Sequence, residues 1–76
     1  MDEKIRGIMS SVFQIKADEI NDDSSQSSIE SWDSLKHLQL VVALEEEFLI
    51  RLEDEESVAM LNYPIIYQIV EEKLKK

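Results

Sequence analysis

Apolar residues recur three and four positions apart along much of the chain, which is the spacing of an amphipathic helix. The first such segment runs from Asp2 to Ile15, and its acidic start suits the positive end of a helix dipole. The second begins at Asp33 or Ser34, since either side chain can accept hydrogen bonds from the first backbone N–H groups, and it ends near Leu49. The pattern predicts two main helices with a long connection between them.

The last main helix is predicted to start at Pro64, because proline is favoured in a first turn. Its apolar stripe comprises Ile66, Ile69, Val70 and Leu74. Before it, the segment "IRLEDEESVAML" predicts a turn and a brief third helix, with apolar contacts from Val58, Met60 and Leu61. One glycine and one proline are too few for a set of tight hairpins. We therefore expect an all-α fold: a small four-helix bundle with three main helices, one short third helix and a long first loop.

The connection between the first two main helices, from Lys16 to Asp33, is polar and has no periodicity. Its large apolar residues are Ile20, Ile29 and Trp32. A flexible linker would have nothing to join in so short a chain, and compact domains seldom carry a long structureless loop. Ile20 and Ile29 are therefore predicted to pin the loop across the bundle, and Trp32 to anchor its end.

Charge and composition narrow the range of partners. Seventeen acidic residues against eight basic ones give a formal net charge of -9, which opposes binding to nucleic acid or anionic lipid and favours basic protein partners. The 76 residues form one domain (1–76), and the lack of cysteine excludes disulfides and thiolate metal sites. With no signal-peptide pattern and no stretch of ~20 apolar residues, we expect a cytoplasmic monomer without membrane insertion.

The second helix carries more apolar residues than one buried face requires. A first strip, sufficient to form the core face, comprises Leu40, Val41, Leu44 and Phe48. A second strip, beside Ser34, comprises Leu35, Leu38 and Val42. The second strip is either buried in a crowded bundle or a contact surface for other proteins.

The stretch "DSLKHLQLVVALEEEF", Asp33 to Phe48, resembles the modification motif of acyl carrier proteins and related phosphopantetheine-binding carriers. At the family's spacing, the DSL tripeptide is followed by Leu40, Ala43, Leu44, the acidic run Glu45 to Glu47, and Phe48. An "IRLEDEE" segment and a final short helix come next, so the resemblance extends over the whole chain. It implies a carrier without catalytic residues, serving fatty-acid-like, polyketide or other specialised biosynthesis. A peptidyl or aminoacyl carrier is the alternative.

The resemblance implies that Ser34 is esterified to 4′-phosphopantetheine, delivered from coenzyme A by a phosphopantetheinyl transferase. The arm's thiol would carry the cargo as a thioester, and Asp33 and Leu35 would flank the attachment point. A helix N-terminus also favours an attached phosphate, through its unpaired N–H groups and its dipole.

Partner enzymes, by the same resemblance, are the transferase and acyl-activating, acyl-transferring or synthase enzymes. The residues they would contact are Leu35, Lys36, Leu38, Gln39, Val42, Glu45 and Glu46. If the bundle opens to admit an acyl chain, the residues expected near that cavity are Phe48, Leu52, Met60, Leu61 and Ile66. For each of these five an ordinary core position is the alternative, and pattern alone favours it.

The chain departs from the family's usual pattern close to the serine. Lys36 and Gln39 stand where carriers of primary fatty-acid synthesis commonly have acidic residues, and Trp32 replaces a small residue often found two positions before the serine. These departures suggest a dedicated carrier for a specialised pathway.

Three alternatives compete with the carrier. A hydrolase would use Ser34 and His37 with Asp33, but a triad needs the histidine between serine and carboxylate, and His37 is expected to be a solvated helix residue. A calcium loop from Asp22 to Asp33 lacks the central glycine and final glutamate of an EF-hand, so we assign no metal ligand. The third alternative is an unmodified helical interaction module that kept the carrier shape.

Overall fold

The computed structural model describes residues 2–75 of the chain. Its elements, in order, are helix α1 (Asp2–Phe13), a 3-10 turn (Ala17–Glu19), α2 (Ser34–Phe48), α3 (Asp54–Ala59) and α4 (Tyr63–Leu74). These residues form no strand, only an isolated antiparallel bridge between Ser25 and Asn62. None of the described helices is both long and apolar enough to cross a membrane. The predicted all-α fold and the helix order are confirmed.

Helix α1 ends at Phe13 rather than at Ile15. Gln14 adopts a left-handed conformation with φ of 57°, which turns the chain out of the helix. The Ile15 N–H then donates to the Ser10 carbonyl at 3.2 Å, and the Ser10 hydroxyl donates to the Ile15 carbonyl. The unpaired carbonyl groups at this helix end are thereby partly satisfied.

Helix α4 begins at Tyr63, one position before the predicted Pro64. The reason is Asn62, whose side-chain oxygen accepts a hydrogen bond from the Ile65 N–H at 3.0 Å. Pro64 then lies within the first turn, where its missing N–H costs nothing. One capping side chain sets this boundary, and hydrophobic periodicity does not report it.

The core is formed by one face of each main helix. The buried residues of these faces are Ile5, Met9 and Phe13 in α1, Leu40, Val41 and Leu44 in α2, and Tyr63, Ile66 and Val70 in α4. Complete burial of one large apolar side chain contributes roughly 1.5–3 kcal/mol, so these faces supply most of the driving force for folding. Leu74, the last member of the predicted α4 stripe, is instead exposed.

The long first loop is anchored as predicted. Ile20, Ile29 and Trp32 are all buried in the core. The Trp32 and Phe13 ring centroids lie 4.8 Å apart, and the Ser31 hydroxyl donates to the Phe13 carbonyl at 2.9 Å. The end of the loop is therefore packed against the end of α1.

Backbone hydrogen bonds also fasten the loop to the connection between α3 and α4. The Tyr63 N–H donates to the Ser24 carbonyl at 2.9 Å, and the Gln26 N–H donates to the Leu61 carbonyl at 3.2 Å. The buried Ser24 hydroxyl accepts from the Asn21 N–H at 2.9 Å. The middle of the loop is thus part of the folded body.

Helix α3 differs from the expectation. None of its described residues is buried: Val58 is 74% exposed, and Leu61, just beyond the helix, is 50% exposed. The prediction that these two make apolar core contacts is wrong, whereas Met60 is fully buried. An ion pair helps to hold α3 against α4, since Lys73 Nζ on α4 lies 2.8 Å from Glu56 Oε1 on α3. Helix α3 is the most lightly packed helix of the bundle.

Candidate functional site at the start of α2

Ser34 is the first residue of α2, and its side chain is exposed. Asp33, in extended conformation, caps the helix: its Oδ1 accepts from the Lys36 N–H at 2.8 Å, and its carbonyl accepts from the His37 N–H at 2.8 Å. The Asp33 carboxylate is therefore engaged by the backbone. Among the described residues no hydrogen bond holds the Ser34 hydroxyl, which is open to a modifying enzyme.

The first turn of α2 keeps hydrogen-bonding capacity for an anion. With the Lys36 and His37 N–H groups bound to Asp33, the N–H groups of Ser34 and Leu35 have no partner within residues 2–75. Unpaired N–H groups at a helix start, together with the helix dipole, favour a phosphate attached there. The local structure therefore fits a phosphodiester on Ser34.

A shallow pocket opens beside this serine. It has a volume of ≈ 370 Å³ and is lined by Gln26, Trp32, Asp33, Ser34 and His37. Gln26, Trp32 and Asp33 belong to the first loop, and Ser34 and His37 belong to α2. Loop anchoring and helix capping together therefore shape the surroundings of the hydroxyl.

His37 is not the solvated residue that the sequence suggested. Its ring is half-buried, Nδ1 accepts from the Trp32 indole N–H at 3.0 Å, and Nε2 lies 2.8 Å from the Ser57 carbonyl oxygen. An indole nitrogen can only donate, so the proton of the neutral ring is assigned to Nε2, which donates to Ser57. Both ring nitrogens are therefore engaged away from Ser34, and Ser34, His37 and Asp33 do not form a hydrolase triad.

The second apolar strip of α2 lies on the surface. Leu35, Leu38 and Val42 are 63%, 60% and 46% exposed. Leu38 and Val42 line a groove of ≈ 330 Å³ together with Gln39, Ala43 and Glu46. Of the two interpretations left open by the pattern, burial in a crowded bundle is wrong, and the strip is available for contact.

The charged members of the predicted contact surface differ in their surroundings. Glu46 and Gln39 are exposed, and Lys36 is half-buried. Glu45 has a structural contact that the sequence did not reveal, because its Oε2 accepts from the Leu52 N–H at 2.8 Å. Glu45 thus holds the connection between α2 and α3.

The end of α2 near Leu49 was predicted, but the left-handed turn at this residue was missed by sequence reasoning. Leu49 terminates α2 in a left-handed conformation with φ of 54°, and its side chain is 90% exposed. Glycine or asparagine at such a position would have signalled the turn. A leucine gives no such signal.

The residues proposed to lie near an acyl cavity fall into three groups. Leu52, Met60 and Ile66 belong to the buried core. Phe48 is half-buried and packs against that core. Leu61, being half exposed, lies largely outside the interior. The structure therefore brings three of the five together and leaves Leu61 at the surface.

Known proteins resemble the chain over almost its entire length. The family described as a phosphopantetheine attachment site matches residues 3–71. An acyl carrier protein of Buchnera aphidicola subsp. Schizaphis graminum is 32% identical over 76 residues, covering 100% of this chain and 96% of that protein. The solution NMR structure of the holo acyl carrier protein of Geobacter metallireducens matches with a TM-score of 0.87 at 27% identity, over 97% of this chain and 85% of that one.

These matches agree with the geometry at the start of α2. The family match and the holo relative identify 4′-phosphopantetheine as the covalently attached cofactor, and the exposed serine with its unpaired N–H groups fits that cofactor. A carrier of this kind is not itself catalytic. The chain belongs to the acyl carrier protein family, defined by its phosphopantetheine attachment site.

Proposed function

We propose that the chain carries acyl groups as thioesters on a 4′-phosphopantetheine arm attached to Ser34, for a fatty-acid-like, polyketide or other specialised pathway. The observation that supports this most directly is the exposed Ser34 hydroxyl at the first position of α2, beside the unpaired N–H groups of Ser34 and Leu35. When attached, the arm supplies a thiol for thioester formation.

The groups around Ser34 each contribute to presenting its hydroxyl to a modifying enzyme. Asp33 holds the first turn of α2 in place, so the Ser34 oxygen stands at a fixed position on the rigid helix. The helix dipole and the two N–H groups offset part of the negative charge that a phosphodiester brings. Leu35, which is 63% exposed, offers an apolar contact to an enzyme that approaches Ser34.

The docking surface extends from Leu35 along the exposed side of α2. Leu38 and Val42 form its apolar centre, and Glu46 adds a negative charge at its far end. Basic side chains on a phosphopantetheinyl transferase, or on acyl-activating, acyl-transferring and synthase enzymes, pair with that charge and speed encounter. A carrier must leave each enzyme again, so a small apolar centre with a charged rim suits the role.

The residues at the Ser34 end of this docking surface favour a role in a specialised pathway. Lys36 and Gln39 replace acidic residues there, so the charge that partners meet near Ser34 is less negative than at Glu46. We expect the dedicated partners of this carrier to be less basic where they contact that end. A cytoplasmic location, a monomeric state and a single carrier domain over residues 1–76 belong to the same proposal.

The attachment is tested by incubating the protein with coenzyme A and a broad-specificity phosphopantetheinyl transferase, followed by intact-mass measurement. We expect one phosphopantetheine adduct on the unaltered chain and on Ser27→Ala, a matched variant of an exposed loop serine, and no adduct on Ser34→Ala. An adduct on Ser34→Ala would place the attachment elsewhere. Without an adduct on any variant, the unmodified interaction module becomes the better description.

The cargo is tested by the intact mass of the protein isolated from its native cell. An acyl increment beyond the arm is expected. An aminoacyl increment would identify the alternative, a peptidyl or aminoacyl carrier.

A further inference from the structure

A chain of two hydrogen bonds joins the end of the first loop, α2 and α3 beside Ser34. Trp32 Nε1 donates to His37 Nδ1 at 3.0 Å, and His37 Nε2 donates to the Ser57 carbonyl at 2.8 Å. The Trp32 and His37 rings are also nearly parallel, at 19°, with centroids 6.1 Å apart. We call these three groups the His37 clasp.

One end of the clasp is fixed in the core. Trp32 is buried and packs against Phe13 of α1 at a centroid distance of 4.8 Å. Because the indole has little freedom to move, it holds the His37 ring in the orientation that aims Nε2 at α3. Position 57 on α3 is thereby tied through His37 to a rigid part of the bundle.

The other end of the clasp holds α3, which contributes no buried side chain to the core. Helix α3 has 6 residues, and none of them is buried. An isolated helix of that length is unstable in water. The buried anchors beside it, Leu52 and Met60, lie outside the helix itself. Segments with few buried apolar contacts open locally at low free energy, so each polar link to α3 matters.

We propose that His37 is a positioning residue that clasps α3 to the start of α2 and thereby opposes insertion of the cargo between Met60, Leu52 and α4. The proposal rests on the carrier function proposed for Ser34. His37 lines the pocket beside Ser34 and also contacts the Ser57 carbonyl, so the clasp connects the surroundings of the attachment point directly to α3. With the clasp closed, a short cargo stays on the protein surface.

The clasp is tested first in the unmodified protein by amide hydrogen exchange. In His37→Ala the α3 amides of Ser57 and Ala59 are expected to exchange on the order of tenfold faster, which is the effect of losing about one net hydrogen bond. Core amides of Met9 and Val70 should keep their protection. The matched control is Gln39→Ala, an exposed α2 residue, which should leave α3 unchanged. Equal exchange of the α3 amides in His37→Ala and in the unaltered chain would overturn the proposal.

A second measurement separates the clasp from simple packing of the ring. The ¹⁵N resonances of the His37 ring should report a neutral imidazole protonated at Nε2, and Trp32→Phe, which keeps an aromatic ring but removes the indole donor, should shift the Nδ1 resonance. A ring protonated at Nδ1, or an Nδ1 resonance that ignores Trp32→Phe, would show that the two hydrogen bonds do not form.

The consequence for the cargo is tested with an octanoyl thioester. The Met60 methyl resonance is compared between the phosphopantetheine form and the octanoyl form, in the unaltered chain and in His37→Ala. We expect a clearly larger change in His37→Ala, since the loosened α3 admits the chain. An equal change in both would overturn the role in cargo placement. Failure of Ser34 to accept the arm would instead refute the proposed function and leave the exchange result standing.

Discussion

Asp33 and Lys36 are joined by a hydrogen bond of 2.8 Å from the Lys36 N–H to Asp33 Oδ1, which closes the first turn of the helix that presents Ser34. We predict that Asp33→Ala lowers the free energy of unfolding by about 1 kcal/mol, because the Lys36 N–H loses its acceptor. Urea denaturation of the unmodified protein measures the change. Asp33→Asn keeps an acceptor oxygen and should lie within a few tenths of a kcal/mol of the unaltered chain. Equal losses in the two variants would contradict the capping role.

Leu49 makes a second prediction possible, because it combines φ of 54° with 90% exposure. A left-handed conformation costs a residue with a Cβ roughly 1–2 kcal/mol, whereas glycine avoids that cost. Leu49→Gly should therefore raise the free energy of unfolding by about 1 kcal/mol. Leu49→Ala removes the same exposed side chain but keeps the Cβ, so it should change stability little. If alanine stabilises as much as glycine, the backbone argument is incorrect.

Tyr63 is buried at the start of α4, and its hydroxyl has no hydrogen-bond partner among the described residues. An unsatisfied buried hydroxyl costs stability, so Tyr63→Phe is predicted to stabilise the fold by about 1 kcal/mol in thermal unfolding. The neighbouring Tyr67, whose ring centroid is 6.3 Å away, supplies the control, and Tyr67→Phe should be close to neutral. Destabilisation by Tyr63→Phe would reveal a partner for the hydroxyl, such as a bound water.

Val42 and Leu74 form a matched pair for testing the docking surface, since each is 46% exposed. Val42 lies in the α2 groove and Leu74 near the end of α4. We predict that Val42→Asp lowers kcat/KM for modification by the phosphopantetheinyl transferase about tenfold, which corresponds to 1.4 kcal/mol of lost contact. Leu74→Asp should leave the rate unchanged. Denaturation of both variants checks that the fold is equally stable, and equal rates would refute docking through this strip.

The sequence was sufficient for features that depend on local spacing. Three apolar stripes predicted the three main helices, and the anchoring role of Ile20 and Ile29 followed from their isolation in a polar loop. The position of Ser34 at a helix start followed from capping preferences. The resemblance then supplied a chemistry that the stripes could not indicate.

The features that were not predicted depend on contacts between distant parts of the chain. His37 contacts the Ser57 carbonyl, 20 positions further along the chain. Glu45 accepts a hydrogen bond from the Leu52 N–H, on the other side of the turn at Leu49. Neither contact alters hydrophobic periodicity, so His37 was expected to be solvated. Hydrophobic pattern alone also predicts that Val58 and Leu61 pack in the core. In the structure both are exposed, and polar contacts such as Lys73–Glu56 hold α3 instead.

The anchoring of the first loop limits the distance over which the carrier can move its cargo. The loop is anchored by Ile20, Ile29 and Trp32, and its middle is tied through Ser24 to Tyr63, so the polypeptide next to Ser34 has little slack. If Ser34 carries the arm as proposed, a cargo can move only over the length of that arm, and partner enzymes must bring their active sites within this distance. The folded polypeptide is therefore a rigid support, and the flexible part of the carrier is the prosthetic arm.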